Sequence, residues 1–174
     1  MELILQTKRL YLRRFTEQDA QLLYNLNLDP EVIKYTQDPI KDVEHAAGIL
    51  SAVIIPQYQL YKLGRWAVHL KHTNEFIGWC GLKFMPEINE IDLGYRFMKK
   101  YWGNGYAYES ASACISYGFD SLKLKGITAW AVPENIASCN VLEKCGMQYI
   151  REEIVDGHVA KRYGIQNPGT ATAG

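Results

Sequence analysis

Lys99-Lys100-Tyr101-Trp102-Gly103-Asn104-Gly105-Tyr106-Ala107 joins a strand-patterned segment to a helix-patterned one through two closely spaced glycines. Upstream, Glu90-Ile91-Asp92-Leu93-Gly94-Tyr95-Arg96-Phe97-Met98 reads as a strand. Downstream, Ala107, Ala111, Cys114, Ile115 and Gly118 recur at the spacing of one helical face. Free N–H groups in a first helical turn and the positive end of the helix dipole favour an anion, and Gly103 and Gly105 carry no Cβ to block its approach. The loop is therefore a candidate phosphate cradle. No Gly-Lys-Ser or Gly-Lys-Thr follows it, which excludes a Walker-type loop, and the missing third glycine argues against a dinucleotide fingerprint.

Reading onward, Gly126 to Val132 forms a short strand, and Pro133-Glu134-Asn135 opens a helix that runs to about Lys144. Gly146 is placed to end it in the left-handed region, with a strand following from Met147. Asp156-Gly157 between Ile154-Val155 and His158-Val159 marks a hairpin. Before the loop, the sequence predicts a strand at Leu10 to Phe15 and a helix from Glu17 to about Leu28 capped by Thr16. A helical turn near Glu31 to Tyr35 comes next. A longer helix starts at Asp42 with Val43, Ala46, Ala47, Leu50 and Ile54 on one face, and Pro56 should end or kink it. Arg65 to Lys71 and Phe76 to Phe84 read as an antiparallel hairpin.

At 174 residues and 48% apolar content, the chain can bury one substantial core. A single domain over residues 1–166 is expected, with Asn167 to Gly174 as a small polar tail. Nineteen basic residues balance nineteen acidic ones, which argues against nonspecific nucleic-acid binding. Cys80, Cys114, Cys139 and Cys145 form no CxxC pair, and the four histidines do not sit at metal-ligand spacing with them, so no metal is expected. Free thiols in a reducing cytoplasm are the expectation. No apolar run approaches the roughly 20 residues that a membrane helix needs.

Taken together, Trp102 to Ala107, Asp92-Leu93-Gly94-Tyr95, the set Asn135, Ser138, Glu143-Lys144 and Gly146, and the opening Thr7 to Arg13 resemble the GNAT superfamily of acetyl-CoA-dependent N-acetyltransferases. Within it, the chain looks like the Rim-type branch, which acetylates N-terminal amines of ribosomal proteins. The resemblance implies an α/β fold with a mixed, mostly antiparallel central sheet and helices on both faces. It also implies that the strands at 90–98 and 126–132 run side by side and then splay to admit acetyl-CoA. Pantetheine would meet main-chain groups of Phe97 and Met98, and the pyrophosphate would meet Trp102, Gly103, Asn104, Gly105, Tyr106 and Ala107. Asn135 and Ser138 would complete the cofactor contacts, and a homodimer through the C-terminal strands fits this branch. Trp102 replaces the Gln or Arg common in the superfamily, and Leu142 stands where many relatives carry a tyrosine that protonates the leaving thiolate.

Amide formation needs a neutral amine, a stabilised carbonyl oxygen and a proton for the departing thiolate. By the same resemblance, an N–H near Phe97 or Met98 would serve the oxygen, and Ser138 would replace the missing tyrosine as acid. Glu90 or Asp92 would act as base, with Glu109 a weaker candidate. Plainer roles stand beside these. Asn135 is a good helix N-cap by itself, Ser138 an ordinary small helix residue, and Glu90 and Asp92 fit the solvent side of a half-buried strand. The best acceptor is an N-terminal α-amine of a protein or peptide. Polyamines, amino acids and antibiotics stay open, and Glu87, Glu90 and Asp92 leave room for an acidic, polyamine-binding cleft. A binding module that senses acyl-CoA without turnover is the alternative of another class.

Overall fold

The computed structural model describes residues 2–170. Eight strands form one sheet in the order β1-β2-β3-β4-β5-β6-β8-β7. In chain order these are β1 (Leu3–Gln6), β2 (Leu10–Arg14), β3 (Gly64–Leu70), β4 (Phe76–Met85), β5 (Glu90–Phe97), β6 (Gly126–Ala131), β7 (Gln148–Val155) and β8 (His158–Gln166). Every neighbouring pair is antiparallel except β5 and β6. The helices are α1 (Ala20–Leu26), α2 (Val43–Ile49), α3 (Ile55–Tyr61), α4 (Tyr106–Asp120) and α5 (Ile136–Lys144). β1 carries no signal in the sequence, because its four residues are too few to show a period.

α4 and α5 lie on one face of the sheet and α1 to α3 on the other. On the first face Cys80 Sγ meets Cys114 Sγ at 3.7 Å without a disulfide, and Trp66 packs edge-on against Tyr117 of α4. On the second, the Tyr58 hydroxyl on α3 accepts from Phe15 N–H and donates to the carbonyl of Arg65. The two faces explain why β3 is buried at nearly every position rather than alternately. One apolar core runs through both layers.

Local signals set the element boundaries. Asp42 caps α2 by accepting from His45 N–H at 2.7 Å. Pro56 does not end the helical run: a wider turn over Leu50–Ile54 precedes it, accommodating the clash and the lost hydrogen bond that proline brings, and α3 continues. Gly146 sits at φ +87°, and the N–H groups of Gly146 and Met147 reach the carbonyls of Glu143 and Leu142, which stops α5. Asp156 and Gly157 both have positive φ, as a tight two-residue hairpin turn needs.

Thr16 is the expected N-cap, of a tighter turn at Glu17–Asp19 that leads into α1. The Asp19 carboxylate takes both the N–H and the hydroxyl of Thr16. Asn167 is anchored to the fold, with its N–H on the Lys125 carbonyl at 2.8 Å and its side chain on the Leu124 carbonyl at 2.9 Å. Residues 171–174 of the expected tail lie outside the described residues. Among the described residues, no helix is long and apolar enough to cross a membrane.

Candidate active site

The loop between β5 and α4 is held open from within. Asn104 Nδ2 donates to the carbonyls of Tyr101 and Trp102 at 3.0 and 3.1 Å, so this side chain shapes the loop. Gly103 and Gly105 take φ of +76° and +80°, which a side chain would strain. The first helical bond of α4 runs from Glu109 N–H to the Gly105 carbonyl at 3.0 Å. Among the described residues, the N–H groups from Gly103 to Tyr108 therefore have no partner and are free as donors at and just before a helix N-terminus. A Cβ built on Gly103 meets nothing within 4 Å, so the space in front of it is open. This is a cradle of the right chemistry for the diphosphate of acetyl-CoA.

Arg9 completes the cradle and is absent from the sequence-based site. Its guanidinium lies 4.5 Å over the Tyr106 ring, and a Cβ on Gly105 would come within 3.5 Å of its Nη2. Glu109 holds it there, accepting from Arg9 Nε at 2.6 Å, Arg9 N–H at 2.9 Å and Thr7 Oγ1 at 2.6 Å. Burial works against this carboxylate, but those three donors leave its pKa below the ordinary range. The weaker base candidate thus ties the β1–β2 turn to α4.

Beside the cradle opens a cavity of about 660 Å³, bordered by Tyr95, Phe97, Trp102, Gly103, Asn135 and Ser138 among others. Asn135 caps α5, its Oδ1 accepting from Ser138 N–H at 3.2 Å. Tyr95 reaches across from β5. Its hydroxyl lies 3.0 Å from Ser138 Oγ and donates to the Ser138 carbonyl at 3.1 Å. Burial pushes the phenol's pKa upward, so it keeps its proton. Tyr95, which shares its side of the strand with Phe97, is a further candidate site residue that only its contact with Ser138 brings out. Leu142 is 1% exposed and belongs to the core. The phenol beside Ser138 therefore comes from the sheet rather than from α5.

β5 pairs with β4 along its whole length but with β6 only at Asp92 opposite Thr128. Beyond that point the two strands part, as expected. Met98 offers nothing to the gap: its N–H donates to the Ile77 carbonyl at 3.0 Å and its carbonyl accepts from Tyr101 N–H at 2.9 Å. Strand alternation then turns the Phe97 N–H the other way, toward the gap. Trp102 braces this residue, its indole donating to the Phe97 carbonyl at 2.8 Å. That bond gives the Trp a role different from a phosphate donor.

The two leading base candidates are both engaged by arginines, and neither borders the cavity. Glu90 binds Arg162 and accepts from Thr128 Oγ1 at 3.1 Å. Asp92 is buried against Arg65, which Gly94 admits: a Cβ there would sit 2.7 Å from the guanidinium. Burial raises the Asp92 pKa, with Arg65 opposing. The carboxylates that do border the cavity, Glu31 and Glu134, are exposed at its rim.

The protein-family model for the acetyltransferase (GNAT) domain matches residues 9–148. An uncharacterized N-acetyltransferase, p20 of Bacillus licheniformis, is 35% identical over 147 residues, covering 83% of this chain and 82% of its own. A GNAT-family acetyltransferase structure from Bacillus anthracis superposes with a TM-score of 0.80 at 26% identity, covering 95% of this chain and 98% of its own. The fold is shared equally by the ribosomal L7/L12 α-N-protein acetyltransferase RimL, at TM-score 0.79 and 17% identity over 95% of this chain and 98% of its own. A chimeric spermidine N-acetyltransferase from Vibrio cholerae and hSSAT follows at 0.76 and 18%, over 94% and 99%. The Rim-type branch is thus one of several neighbours, and the narrower assignment gives way to the superfamily. With the cradle, the split strands and the family match in agreement, the chain belongs to the GNAT family and is an N-acetyltransferase.

Proposed function

We propose that this enzyme transfers acetyl from acetyl-CoA to an α-amine, with the N-terminus of a protein or peptide as acceptor. One observation carries this reading: Glu90, Asp92 and Glu109 are each held by an arginine, so none of these three candidate bases is free to strip a strongly basic amine. An α-amine has a reference pKa of about 7.7–8.0 and a lysine amine about 10.4. Near pH 8, about half of the first is already neutral, against well under about one in a hundred of the second. The same ion pairs weaken the polyamine alternative, since they neutralise Glu90 and Asp92, and Glu87 borders neither cavity.

Acetyl-CoA supplies the acyl group as a thioester. The N–H groups from Gly103 to Tyr108, with Arg9 beside them, would hold its phosphates. The Phe97 N–H would face the thioester oxygen as negative charge builds there. Ser138, backed by the buried Tyr95 phenol, would pass a proton to the sulfur as the amide forms, while the amine gives up its own proton to solvent at the rim. This proton donor is what a non-catalytic sensor would lack. The homodimer belongs to the same reading, supported by edge strand β7, where Tyr149 and Ile154 are 54% and 71% exposed.

CoA thiol release should be followed with acetyl-CoA and separate pools of N-terminal peptides, polyamines and aminoglycosides. Release with the peptide pool is expected. Release with polyamines or aminoglycosides alone would overturn the α-amine acceptor and leave acetyl transfer standing.

A further inference from the structure

A second cavity, about 340 Å³, opens on the sheet face covered by α1 to α3. Arg96 is the residue it shares with the larger cavity, so the two meet at this side chain. Tyr95 and Arg96 are consecutive in β5 and point to opposite faces, which puts the Ser138 pair on one side of the strand and the guanidinium on the other. The smaller cavity is cation-rich. Arg65, Arg96 and Lys83 border it, and among the described residues its one bordering carboxylate is Asp38.

Arg96 is rigidly aimed. Its side chain is only 9% exposed, its guanidinium lies 5.6 Å over the Trp79 ring, and one nitrogen donates to Asn27 Oδ1. Asn27 is itself pinned, its Nδ2 donating to the Leu23 carbonyl at 2.8 Å. The other terminal nitrogen donates to Thr36 Oγ1 at 2.8 Å and to both Asp38 oxygens at 2.9 Å. Asp38 differs from its partner in being 56% exposed, on a connecting segment just after Gln37 at φ +51°. A buried arginine whose carboxylate partner is half in water can exchange that partner for another carboxylate with the same hydrogen bonds. The new pair would keep the charge balance of the old one.

We propose that Arg96 is an acceptor-specificity residue: it binds a carboxylate of the acceptor in exchange for Asp38. The preferred acceptor is then an N-terminal peptide with an acidic first or second residue, a reading that rests on the α-amine assignment above. Apolar walls from Leu23, Ile40, Ile49 and Val53 leave room for the aliphatic part of such a residue. A polycation would instead meet the positive charge of Lys83, and it carries no carboxylate to take the place of Asp38 on Arg96.

The test uses acetyl-CoA and paired peptides that differ only by Asp against Asn, or Glu against Gln, at the first and second positions. The expected result is at least a tenfold higher kcat/KM for one or more acidic peptides over their amides. Arg96→Gln should abolish that preference. Because Arg96 also holds Asn27 and Thr36, the decisive variant is Asp38→Asn, which frees the guanidinium. It should lower KM for the acidic peptides severalfold and leave the amides unchanged, a gain that a damaged fold does not produce. Equal kcat/KM for acid and amide peptides, unaltered in Asp38→Asn, overturns the carboxylate site while the α-amine acceptor stands. No acetylation of any peptide overturns both.

Discussion

Tyr95 Oη lies 3.0 Å from Ser138 Oγ, joining the middle sheet strand β5 to the first turn of α5 at the edge of the larger cavity. Tyr95→Phe and Ser138→Ala should each lower kcat about a hundredfold or more, within the range that general acids contribute. Because the two hydroxyls act as a unit, the double variant should be little worse than the worse single one. Acetyl-CoA affinity measured by calorimetry should change little in all three. Unchanged kcat in Ser138→Ala would remove the pair from the chemistry.

Gly105→Glu should abolish measurable acetyl-CoA binding. A Cβ at this position has room, its nearest neighbour being Arg9 Nη2 at 3.5 Å, so steric collision is not the cause. The loss comes from φ +80°, costing about 1–2 kcal/mol for a side chain, and from a carboxylate placed among phosphate-facing N–H groups. Gly105→Ala, which brings only the backbone cost, should weaken binding modestly. Calorimetry that finds wild-type affinity in Gly105→Glu would displace the phosphate site from this loop.

Acid should unfold the protein through two carboxylates. Burial opposes Asp19 and Glu109, yet Arg13 and Thr16 hold the first below its usual pKa, and Thr7 and Arg9 hold the second. A folded pKa lower than the unfolded one gives stability that is complete above the unfolded values, about 3.9 and 4.3, and drains away as pH falls through the folded ones. Urea midpoints should therefore fall steeply below about pH 4. Asp19→Asn and Glu109→Gln should each cost about 2 kcal/mol at pH 7 and flatten that slope. A slope identical to wild type in both variants would assign the acid transition to other groups.

A tyrosine placed on α5 at Leu142 should not supply the acid. Leu142→Tyr puts a larger, polar side chain into a position that is 1% exposed, and overpacking of this kind costs about 1–3 kcal/mol. Activity in the Leu142→Tyr, Ser138→Ala double variant should stay at the Ser138→Ala level. Recovery there would show that α5 can rotate this position toward the cavity.

What could be read from the chain was set by neighbours a few residues apart. Gly103 and Gly105 announce a turn in the left-handed region, Asn135 announces a helix start three residues before the N–H it caps, and Asp156-Gly157 announces a hairpin. Backbone geometry and capping act over one turn, so the strand–cradle–helix unit and the helix at 136–144 were legible with close boundaries. At Pro56 the local rules left two outcomes open, and a wider turn before it absorbs the proline's cost without a break.

Pairings between distant segments belonged to the tertiary structure alone. Tyr95 meets Ser138 across 43 residues, Arg9 meets Glu109 across 100, and Arg96 meets Asp38 across 58. Glu90, Asp92 and Glu109 are the same carboxylates in either view; which arginine occupies each is decided by strand order and by which face a side chain takes. The sequence by itself determined the cradle and the succession of elements, because those follow from local backbone preference and periodicity. Only the packed sheet decided which hydroxyl stands beside Ser138, which carboxylates are spent on arginines and which guanidinium borders both cavities, because charge and hydrogen-bond partners are chosen by proximity in space.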